Sequence, residues 1–252
     1  MKITFLGTGP SHGVPIIGCS CPVCTSHDIR NKRFRASVFI ETSNTNILID
    51  TPPEFRLQAI NNSINHIDGV LFTHQHADHV HGFDDLRRFN EMQRKQIPCY
   101  ANQDTVYGLK NMYDYVFRGG DLYASSPQVS LRPISGDFCF KNIIIEPIPI
   151  LHGANKILGY KIDNFAYLTD CSFIPQNSFE KLKDLELLTI GALRYKSHPN
   201  HFNLEQAVST IKELNPKKAF LTHMTHSFDY YQLEKELPPN ISPAYDGLIF
   251  EL

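Results

Sequence analysis

The 252-residue sequence contains no tryptophan, only four methionines and little net charge, the formal value being −2. It has no apolar stretch of the roughly 20 residues that a membrane-spanning helix needs. The segment from Met1 to Thr8 carries one lysine and soon reaches glycine, so it lacks the apolar centre of a signal peptide. We therefore expect a cytoplasmic protein without a membrane partner. Neither end of the chain carries a basic run, which makes nucleic acid an unlikely partner on charge grounds.

The chain also lacks internal repeats, low-complexity tracts and any linker-like concentration of proline or glycine. Residues 1–252 are therefore predicted to form one domain. Strand-like runs occur at Ile3–Leu6, Ser37–Thr42, Asn46–Asp50, Gly69–Thr73, Ile143–Ile150, Ile157–Ile162, Ala166–Thr169, Leu187–Ile190, Ala219–Thr222 and Leu248–Glu251. Helical patterns occur at Pro53–Asn61, Phe83–Met92, Thr105–Tyr115, Ser178–Lys183, Leu204–Leu214 and Asp229–Leu237. Because both types occur in each half, we expect an α+β fold with two packed sheets and helices outside.

The densest group of potential metal ligands follows the predicted strand Gly69–Thr73. It reads His74-Gln75-His76-Ala77-Asp78-His79. In an extended turn, His74 and His76 project to the same side, and a change of direction then brings Asp78 and His79 towards a second ion. Three other predicted strands also end at or just before a histidine or an aspartate, at His152, Asp170 and His223. Strand ends commonly carry function, so these ends are predicted to converge on one site.

A second group of potential ligands lies in the loop Cys19-Ser20-Cys21-Pro22-Val23-Cys24. In a reducing compartment such cysteines are expected to be thiols or metal ligands, not disulfides. Three thiolates are one ligand short of a closed tetrahedral zinc site, and the spacing alone does not identify the fourth. Cys171 is different: it directly follows Asp170 and is expected to be a buried small residue, because adjacent side chains at a strand end point to opposite sides.

The pattern His-x-His-x-Asp-His after a strand resembles the signature of metallo-β-lactamase-fold hydrolases, and the resemblance covers nearly the whole chain. It implies a four-layer αββα sandwich. By this resemblance, one divalent ion is held by His74, His76 and His152, a second by Asp78, His79 and His223, and Asp170 bridges the two. A carboxylate is suited to such bridging. The oxygen-rich ligand set accepts Mn²⁺, Zn²⁺ or Fe²⁺ and favours phosphoester chemistry over lactam cleavage.

A narrower resemblance is to PhnP-like phosphodiesterases. It is carried by Gly7-Thr8-Gly9, Gly13-Val14-Pro15, the Cys-x-Cys-x-x-Cys loop and Thr222-His223-Met224-Thr225-His226. The resemblance implies a structural zinc held by Cys19, Cys21, Cys24 and His226. It also implies that His201 faces the metals without binding them. A homodimer is a further implication, although no residue pattern specifies a two-fold interface.

The resemblance predicts hydrolysis of a small phosphodiester, with a cyclic one among the candidates, by a hydroxide held between two metals. Asp78 and His201 are the expected catalytic residues, with His201 orienting the phosphate or protonating the departing alkoxide. Imidazole suits this role because its ordinary pKa of about 6.5 makes both forms available. The alternatives are an RNA-processing nuclease, a thioester or lactone hydrolase, and a non-catalytic accessory protein of cofactor biosynthesis.

Several other features are left open by the sequence. His198 competes with His201, His12 is a candidate for substrate contact, and His81 for support of a metal ligand. Arg33 and Arg35 precede a strand and could bind phosphate, but basic residues there are usually solvated. The tyrosine-rich segment Asn90–Asp137 is predicted to form a lid or a dimer contact.

Overall fold

Two mixed β-sheets form the centre of the computed structural model, which describes residues 1–118 and 126–252. The strands are β1 Lys2–Gly7, β2 Ser37–Glu41, β3 Asn46–Ile49, β4 Gly69–Leu71, β5 Ile97–Ala101, β6 Val129–Pro133, β7 Phe138–Phe140, β8 Ile143–His152, β9 Asn155–Ile162, β10 Phe165–Leu168, β11 Leu187–Gly191, β12 Lys218–Thr222, β13 Ile241–Pro243 and β14 Ile249–Glu251. Among the described residues the first sheet has the order β14-β1-β2-β3-β4-β5-β6. The second has the order β13-β12-β11-β10-β9-β8-β7.

The helices connect these strands and lie on the outer faces. They are α1 Pro22–Thr25, α2 Phe55–Asn61, α3 Ala77–Val80, α4 Leu86–Gln93, α5 Gln103–Met112, α6 Asp114–Phe117, α7 Gln176–Lys181, α8 Leu204–Leu214 and α9 Tyr230–Glu236, with 3₁₀ turns at Ile29–Asn31 and Phe83–Asp85. The sequence specifies some boundaries directly: Asn203 and Gln206 form a reciprocal capping box at the start of α8. No helix in the described part of the chain is long and apolar enough to cross a membrane.

Three apolar clusters separate the layers. The middle one lies between the sheets and includes Phe5, Tyr160 and Phe220. Another joins the first sheet to α2, α4 and α5, and the third joins the second sheet to α7, α8 and α9. This is the expected αββα sandwich, in which each sheet buries one face against its partner and the other under helices. Cys171 is fully buried in the third cluster, which confirms the prediction for that residue.

The described part of Asn90–Asp137 does not form the predicted lid, whereas its role as a dimer contact stays a prediction. This part supplies β5 and β6, which extend the first sheet in parallel pairing, and α5, which packs against them. The strands were missed because Ile97–Ala101 is interrupted by proline and Val129–Pro133 alternates only weakly. Most of the segment is thus a layer of the fold and not a separate lid. The Gly119-Gly120-Asp121 part of the predicted contact lies outside the described residues.

Candidate metal centre

The ends of four strands bring the predicted active-site ligands together. His74 and His76 follow β4, Asp78 and His79 lie on the short helix α3, His152 ends β8, Asp170 follows β10 and His223 follows β12. Five of these seven residues are buried, Asp78 is partly buried and His76 is exposed. The sheets therefore place residues that are far apart in the sequence at one common edge, as expected for strand termini.

His74, His76 and His152 form the first group. The Nε2 atom of His74 lies 3.0 Å from Nδ1 of His76, and the ring centroid of His152 lies 5.5 Å from that of His74 and 5.0 Å from that of His76. The backbone carbonyl of Asn200 lies 2.8 Å from Nδ1 of His152. If Nδ1 carries the proton and donates to that carbonyl, Nε2 of His152 is the nitrogen left free to bind an ion.

Asp78, His79, Asp170 and His223 form the second group. The Nε2 atom of His79 lies 3.1 Å from Asp170 Oδ2 and 3.4 Å from Asp78 Oδ2. The Nε2 atom of His223 lies 3.2 Å from Asp170 Oδ1 and 3.7 Å from Asp78 Oδ2. One ligand atom from each of the four residues lies within 4.8 Å of the others. Both carboxylates therefore face both imidazoles across one small space.

The donor atoms of this group fit a divalent ion. The Nε2 atoms of His79 and His223 are buried and have no hydrogen-bond partner of acceptable geometry, although carboxylate oxygens lie nearby. Buried polar atoms in proteins are nearly always satisfied, so two such nitrogens aimed at one space require a further partner. Nitrogen and carboxylate ligands at this spacing are what Zn²⁺ and Mn²⁺ use. The residues present thus fit a metal ion.

The surrounding charges favour the ionised form of the carboxylates, which is the form that binds a metal ion. Burial would raise the pKa of Asp170, but His223 and His79 lower it well below its usual value, and His79 and His223 do the same for Asp78. Burial lowers the pKa of His74, which keeps that imidazole neutral. Burial alone would lower the pKa of His79, yet Asp170, Asp78 and Asp50 raise it well above its usual value. A cation is therefore favoured at His79, and a metal ion can supply that charge in place of a proton.

Asp50 supports the second group and was not among the predicted site residues. Its Oδ2 accepts hydrogen bonds from Nδ1 of His79 at 2.7 Å and from the Thr73 hydroxyl at 2.8 Å, and its Oδ1 accepts from the Thr73 amide at 2.8 Å. The residue is fully buried. By accepting from Nδ1, Asp50 leaves Nε2 of His79 free for an ion. The missed signal is that the apolar run Ile47–Ile49 also ends in an aspartate.

Three site residues adopt an uncommon backbone conformation. Asp50, Asp170 and His223 have φ values of 64°, 55° and 57°, in the left-handed region that only a few per cent of non-glycine residues occupy. Asp50 and His223 directly follow a strand, and Asp170 is the second residue after β10. Such strain is tolerated where surrounding structure enforces it, and it clusters at functional sites. Here it turns the side chains away from the sheet and towards the common space.

His201 lies beside both groups of ligands. Its ring is stacked on His223 with centroids 5.1 Å apart, its Nδ1 lies 3.6 Å from Asp170 Oδ1, and its centroid lies 4.6 Å from that of His152. Burial, together with the nearby His223, lowers the pKa of His201 to about 3. The expectation that both forms are available at neutral pH is therefore wrong for this environment, in which the neutral form dominates. The ring centroid of His198 lies 5.0 Å from that of His201, whereas His12 and His81 are exposed.

The cysteine loop and His226 form a separate cluster. The Nδ1 atom of His226 lies 3.3 Å from Sγ of Cys19, 3.4 Å from Cys21 and 3.5 Å from Cys24. Three sulfurs and one nitrogen in mutual contact match the donor set of a tetrahedral structural zinc site. The backbone amide of Cys24 donates to Cys21 and lowers the pKa of that thiol to about 6, which favours the thiolate form that binds metals. Burial instead raises the pKa of Cys24 to about 11.

Arg33 stabilises the segment that carries His226 through hydrogen bonds. Its guanidinium donates to the carbonyl oxygens of Thr225 at 3.0 Å and Phe228 at 2.8 Å, and to Oδ1 of Asn31 at 3.1 Å. The side chain is buried, so the expectation of a solvated arginine is wrong for this residue. These contacts give Arg33 a structural role, and its guanidinium is therefore not available to bind a phosphate.

Comparison with known proteins agrees with this geometry. Residues 45–224 match the family model described as "Beta-lactamase superfamily domain". The chain belongs to the metallo-β-lactamase superfamily. Within it, the chain is 37% identical to a solved diphosphatase from the PhnP family, with a TM-score of 0.93 and coverage of 100% of this chain and 97% of that one. The resemblance to PhnP-like proteins and the sandwich fold are therefore both confirmed.

Two curated relatives carry other names. An octanoyltransferase of Porphyromonas gingivalis is 41% identical over 253 residues, which cover 98% of this chain and 51% of the relative. The chain thus spans about half the length of that protein. The exodeoxyribonuclease WalJ of Streptococcus pneumoniae is 25% identical over 218 residues, which cover 75% of this chain and 77% of the relative. Members of the superfamily are therefore named for several different reactions, and these names do not identify the substrate of this chain. The residues of the site must indicate it.

Proposed function

We propose that the protein is a metal-dependent hydrolase that cleaves a phosphodiester bond in a small molecule, with a cyclic diester among the candidates. The observation that carries the proposal is that the two ligand groups adjoin: a donor atom of His152 in the first group and one of Asp170 in the second lie within 4.8 Å of each other and of His201. We assign His201 to the substrate and not to an ion. The first group would hold one divalent ion and the second another, with Zn²⁺ or Mn²⁺ as the favoured ions and Fe²⁺ a third that the ligands accept. When bound, such a pair lowers the pKa of water and stabilises negative charge that develops on phosphate.

The remaining chemistry belongs to the chain. Asp78 and Asp170 both direct carboxylate oxygens towards the Nε2 atoms of His79 and His223, and Asp50 orients His79 through Nδ1. His201 is neutral in this environment, so it donates one N–H hydrogen bond that can hold a phosphate oxygen in place. Negative charge that develops next to the ring raises the imidazole pKa, so His201 can take up the proton that the attacking water releases and pass it to the leaving oxygen.

The names of two relatives support attack at phosphorus. A diphosphatase and an exodeoxyribonuclease both hydrolyse phosphorus–oxygen bonds, although neither name identifies the substrate of this chain. A small-molecule substrate, a homodimer and the absence of nucleic-acid binding stay predictions. The cysteine cluster is proposed to hold a structural zinc, because all four of its ligand positions are provided by side chains.

The test is hydrolysis of bis(p-nitrophenyl) phosphate beside p-nitrophenyl phosphate, a dinucleoside diphosphate and p-nitrophenyl octanoate, with Mn²⁺, Zn²⁺ or no added metal. We expect metal-dependent cleavage of the diester. His201→Ala should lower kcat on the diester by about 10²- to 10⁴-fold without loss of bound metal. His198→Ala is the matched control, since His198 lies one ring further from the ligands and should matter much less.

Three outcomes would contradict parts of this proposal. Cleavage of the diphosphate alone would replace the diester by a phosphoanhydride, and cleavage of the octanoate alone would move the reaction to carbonyl esters. Loss of bound metal in His201→Ala would make His201 a ligand and not a catalytic residue. No cleavage of any probe by the metal-replete protein would favour a non-catalytic role.

A further inference from the structure

Two neighbouring cavities lie beside the first group of metal ligands. A cavity of about 120 Å³ is lined in part by His74 and His76. A second cavity, of about 510 Å³, lies beyond it between the edges of the two sheets. The two cavities share the lining residues Asn102, Asp104, Lys156 and Ile157. Because they share these walls, a bound molecule can extend from the ligands of the first ion into the larger cavity.

The larger cavity has the composition of a small-molecule site. Pro147, Pro149 and Ile157 provide apolar surface, and Ser135 and Asn177 add hydrogen-bonding groups. Sites for small molecules are typically concave and largely apolar, with a few polar groups that fix orientation. A volume of about 510 Å³ exceeds what a single phosphate group needs, so the cavity can take the larger remainder of a substrate.

Lys156 supplies positive charge at the junction of the two cavities. Among the residues that the structure describes, its ammonium forms no ion pair within 4 Å, whereas Lys181 at the other end of the cavity pairs with Asp137 at 2.8 Å. Asp104, which shares the junction, lies in the first turn of α5, where a carboxylate stabilises the helix. The charge of Lys156 therefore has no structural use in this fold.

The backbone holds Lys156 close to the metal ligands. It lies on β9, which forms a hairpin with β8, and His152 pairs in register with Asn155 directly before it. The side-chain amide of Asn102 donates to the Lys156 carbonyl at 3.3 Å, and the amide of Leu158 donates to the Thr73 carbonyl at 3.0 Å. These bonds tie β9 both to α5 and to the strand end before His74. The lysine backbone is thus fixed with respect to the site.

We propose that this cavity binds the part of the substrate that does not react, and that Lys156 selects substrates carrying a negatively charged group there. The inference rests on the proposed function, because the scissile group must lie at the ligands for the remainder to enter the cavity. An ammonium is a compact charge that binds phosphate or carboxylate oxygens. Lys156 is therefore a specificity residue for the second anionic group and has no role in the bond cleavage itself.

The first test compares two probes that differ by one phosphate: thymidine 5′-(p-nitrophenyl phosphate) and its 3′-phosphorylated form. The wild-type protein should cleave the 3′-phosphorylated probe with a kcat/KM about tenfold higher, as expected for one charge-assisted contact near the surface. Lys156→Gln should abolish this preference and leave the other probe within about twofold of wild type. Lys212→Gln, at an exposed lysine on the outer helix α8, should leave the preference intact.

Equal kcat/KM values for the two probes in the wild type, or an unchanged preference in Lys156→Gln, would overturn the inference. Calorimetric binding of thymidine 3′,5′-bisphosphate and thymidine 5′-monophosphate separates this result from failure of the proposed function. Another outcome is that the wild type cleaves neither probe and yet binds the bisphosphate more tightly than the monophosphate, while Lys156→Gln binds the two nucleotides equally. In that case the cavity assignment is supported and the proposed reaction is wrong. Equal binding of the two nucleotides, or no binding of either, overturns the assignment.

Gly136 offers a second variant that fills the cavity. It lines the cavity, and a Cβ atom built on it meets no atom within 4 Å. Gly136→Trp should therefore fold normally and occupy the space. We expect it to raise KM for both thymidine probes by about tenfold and to leave methyl p-nitrophenyl phosphate unaffected, because that probe is too small to reach the cavity. An equal loss on all three probes, or no loss, would contradict occupation of the cavity by substrate.

Discussion

The two ligand clusters of this protein are built in opposite ways. The active-site cluster combines histidines with two carboxylates, lies at strand ends and is almost entirely buried. The cluster of Cys19, Cys21, Cys24 and His226 combines thiols with one histidine and lies in loops that are partly exposed. In the first, the sheets position the ligands. In the second, a short loop provides three ligands, and side-chain hydrogen bonds of Arg33 and Asn31, not a strand end, connect the region of this loop to the segment of His226.

This difference separates two uses of a metal. A site organised by the fold can keep its geometry without an ion and leave a coordination position for substrate, as catalytic sites do. A site organised by the ion contributes folding energy when it is filled. We therefore expect changes in the first cluster to affect activity more than stability, and changes in the second to affect stability more than activity.

The largest effect is expected for Asp170→Asn. Asp170 faces both His79 and His223, and loss of its charge should lower kcat/KM by about 10³-fold or more, beyond the roughly 10- to 100-fold typical of residues that only support a ligand. The midpoint of thermal unfolding should change by only a few degrees. Diester hydrolysis, metal analysis and calorimetry check the prediction. If Asp170→Asn is largely unfolded but its folded fraction has the kcat/KM of the wild type, the expected contrast between the two clusters is wrong.

His226→Ala is expected to reverse that pattern. It removes the nitrogen that contacts all three sulfurs, so one zinc per chain should be lost. We expect a loss of about 3 kcal/mol in the free energy of unfolding, or about 6–12 °C in Tm. The kcat value should fall by less than threefold at a temperature where the variant stays folded. His27→Ala is the control, because it lies near the same loop but outside the cluster. Loss of two or more metals would show that the clusters are not independent.

Asp246 allows a test of how pH affects the stability of the folded structure that carries both clusters. Burial raises its pKa to about 7, and its carboxyl accepts hydrogen bonds from the Thr8 hydroxyl and the Phe34 amide. The unfolded chain releases this proton near pH 4 while the folded protein keeps it until about pH 7. The contribution of Asp246 to stability therefore falls as pH rises through this range. From pH 5 to pH 8 the loss should be about 2–3 kcal/mol.

Asp246→Asn should remove this component, because an amide is isosteric and does not titrate. Urea unfolding of wild type and variant at pH 5 and pH 8 measures the difference. The wild type should lose more stability than the variant on going to pH 8. The same pH dependence in both proteins would mean that Asp246 is ionised in the folded state throughout.

The smallest effect is expected for Asp50→Asn. The amide can still accept from Thr73, but it no longer favours the tautomer that leaves Nε2 of His79 free. Activity or metal affinity at the active-site cluster should fall by about 10- to 100-fold, while the cysteine cluster keeps its zinc. Asp68→Asn is the control, since that carboxylate pairs with His66 and Lys141 away from the site. Restoration of activity by excess Mn²⁺ would support a role in positioning His79. An unchanged metal dependence would contradict it.

The sequence predicted the ligand groups because they are local or follow strands. The run from His74 to His79 is contiguous, and each remaining active-site histidine or aspartate follows an apolar strand that is recognisable by itself. The fourth ligand of the cysteine cluster could not be derived in this way. His226 meets Cys19 across 207 residues of sequence, and only the resemblance to a family identified it.

Features that depend on packing were harder to predict. Asp50 and Arg33 become significant only when burial removes the water that would otherwise solvate them, and burial of a single charged residue does not follow from its neighbours in sequence. The same holds for the pKa of His201, which burial and then the neighbouring His223 lower. The strands β5 and β6 were missed because proline interrupts Ile97–Ala101 and because Val129–Pro133 alternates only weakly.

The long span between ligands also affects how the protein matures. Asp78 and His79 are synthesised early, yet their partner His223 follows β12, one of the last strands of the chain. A nascent chain that ends before β12 can complete neither the second ligand group nor the cysteine cluster, although His74, His76 and His152 are already present. Long-range pairing of this kind is slow to form. We therefore expect the second group and the cysteine cluster to bind ions only at the end of folding. A protein truncated before β12 should bind no ion at either of them, however much of the first sheet it has formed.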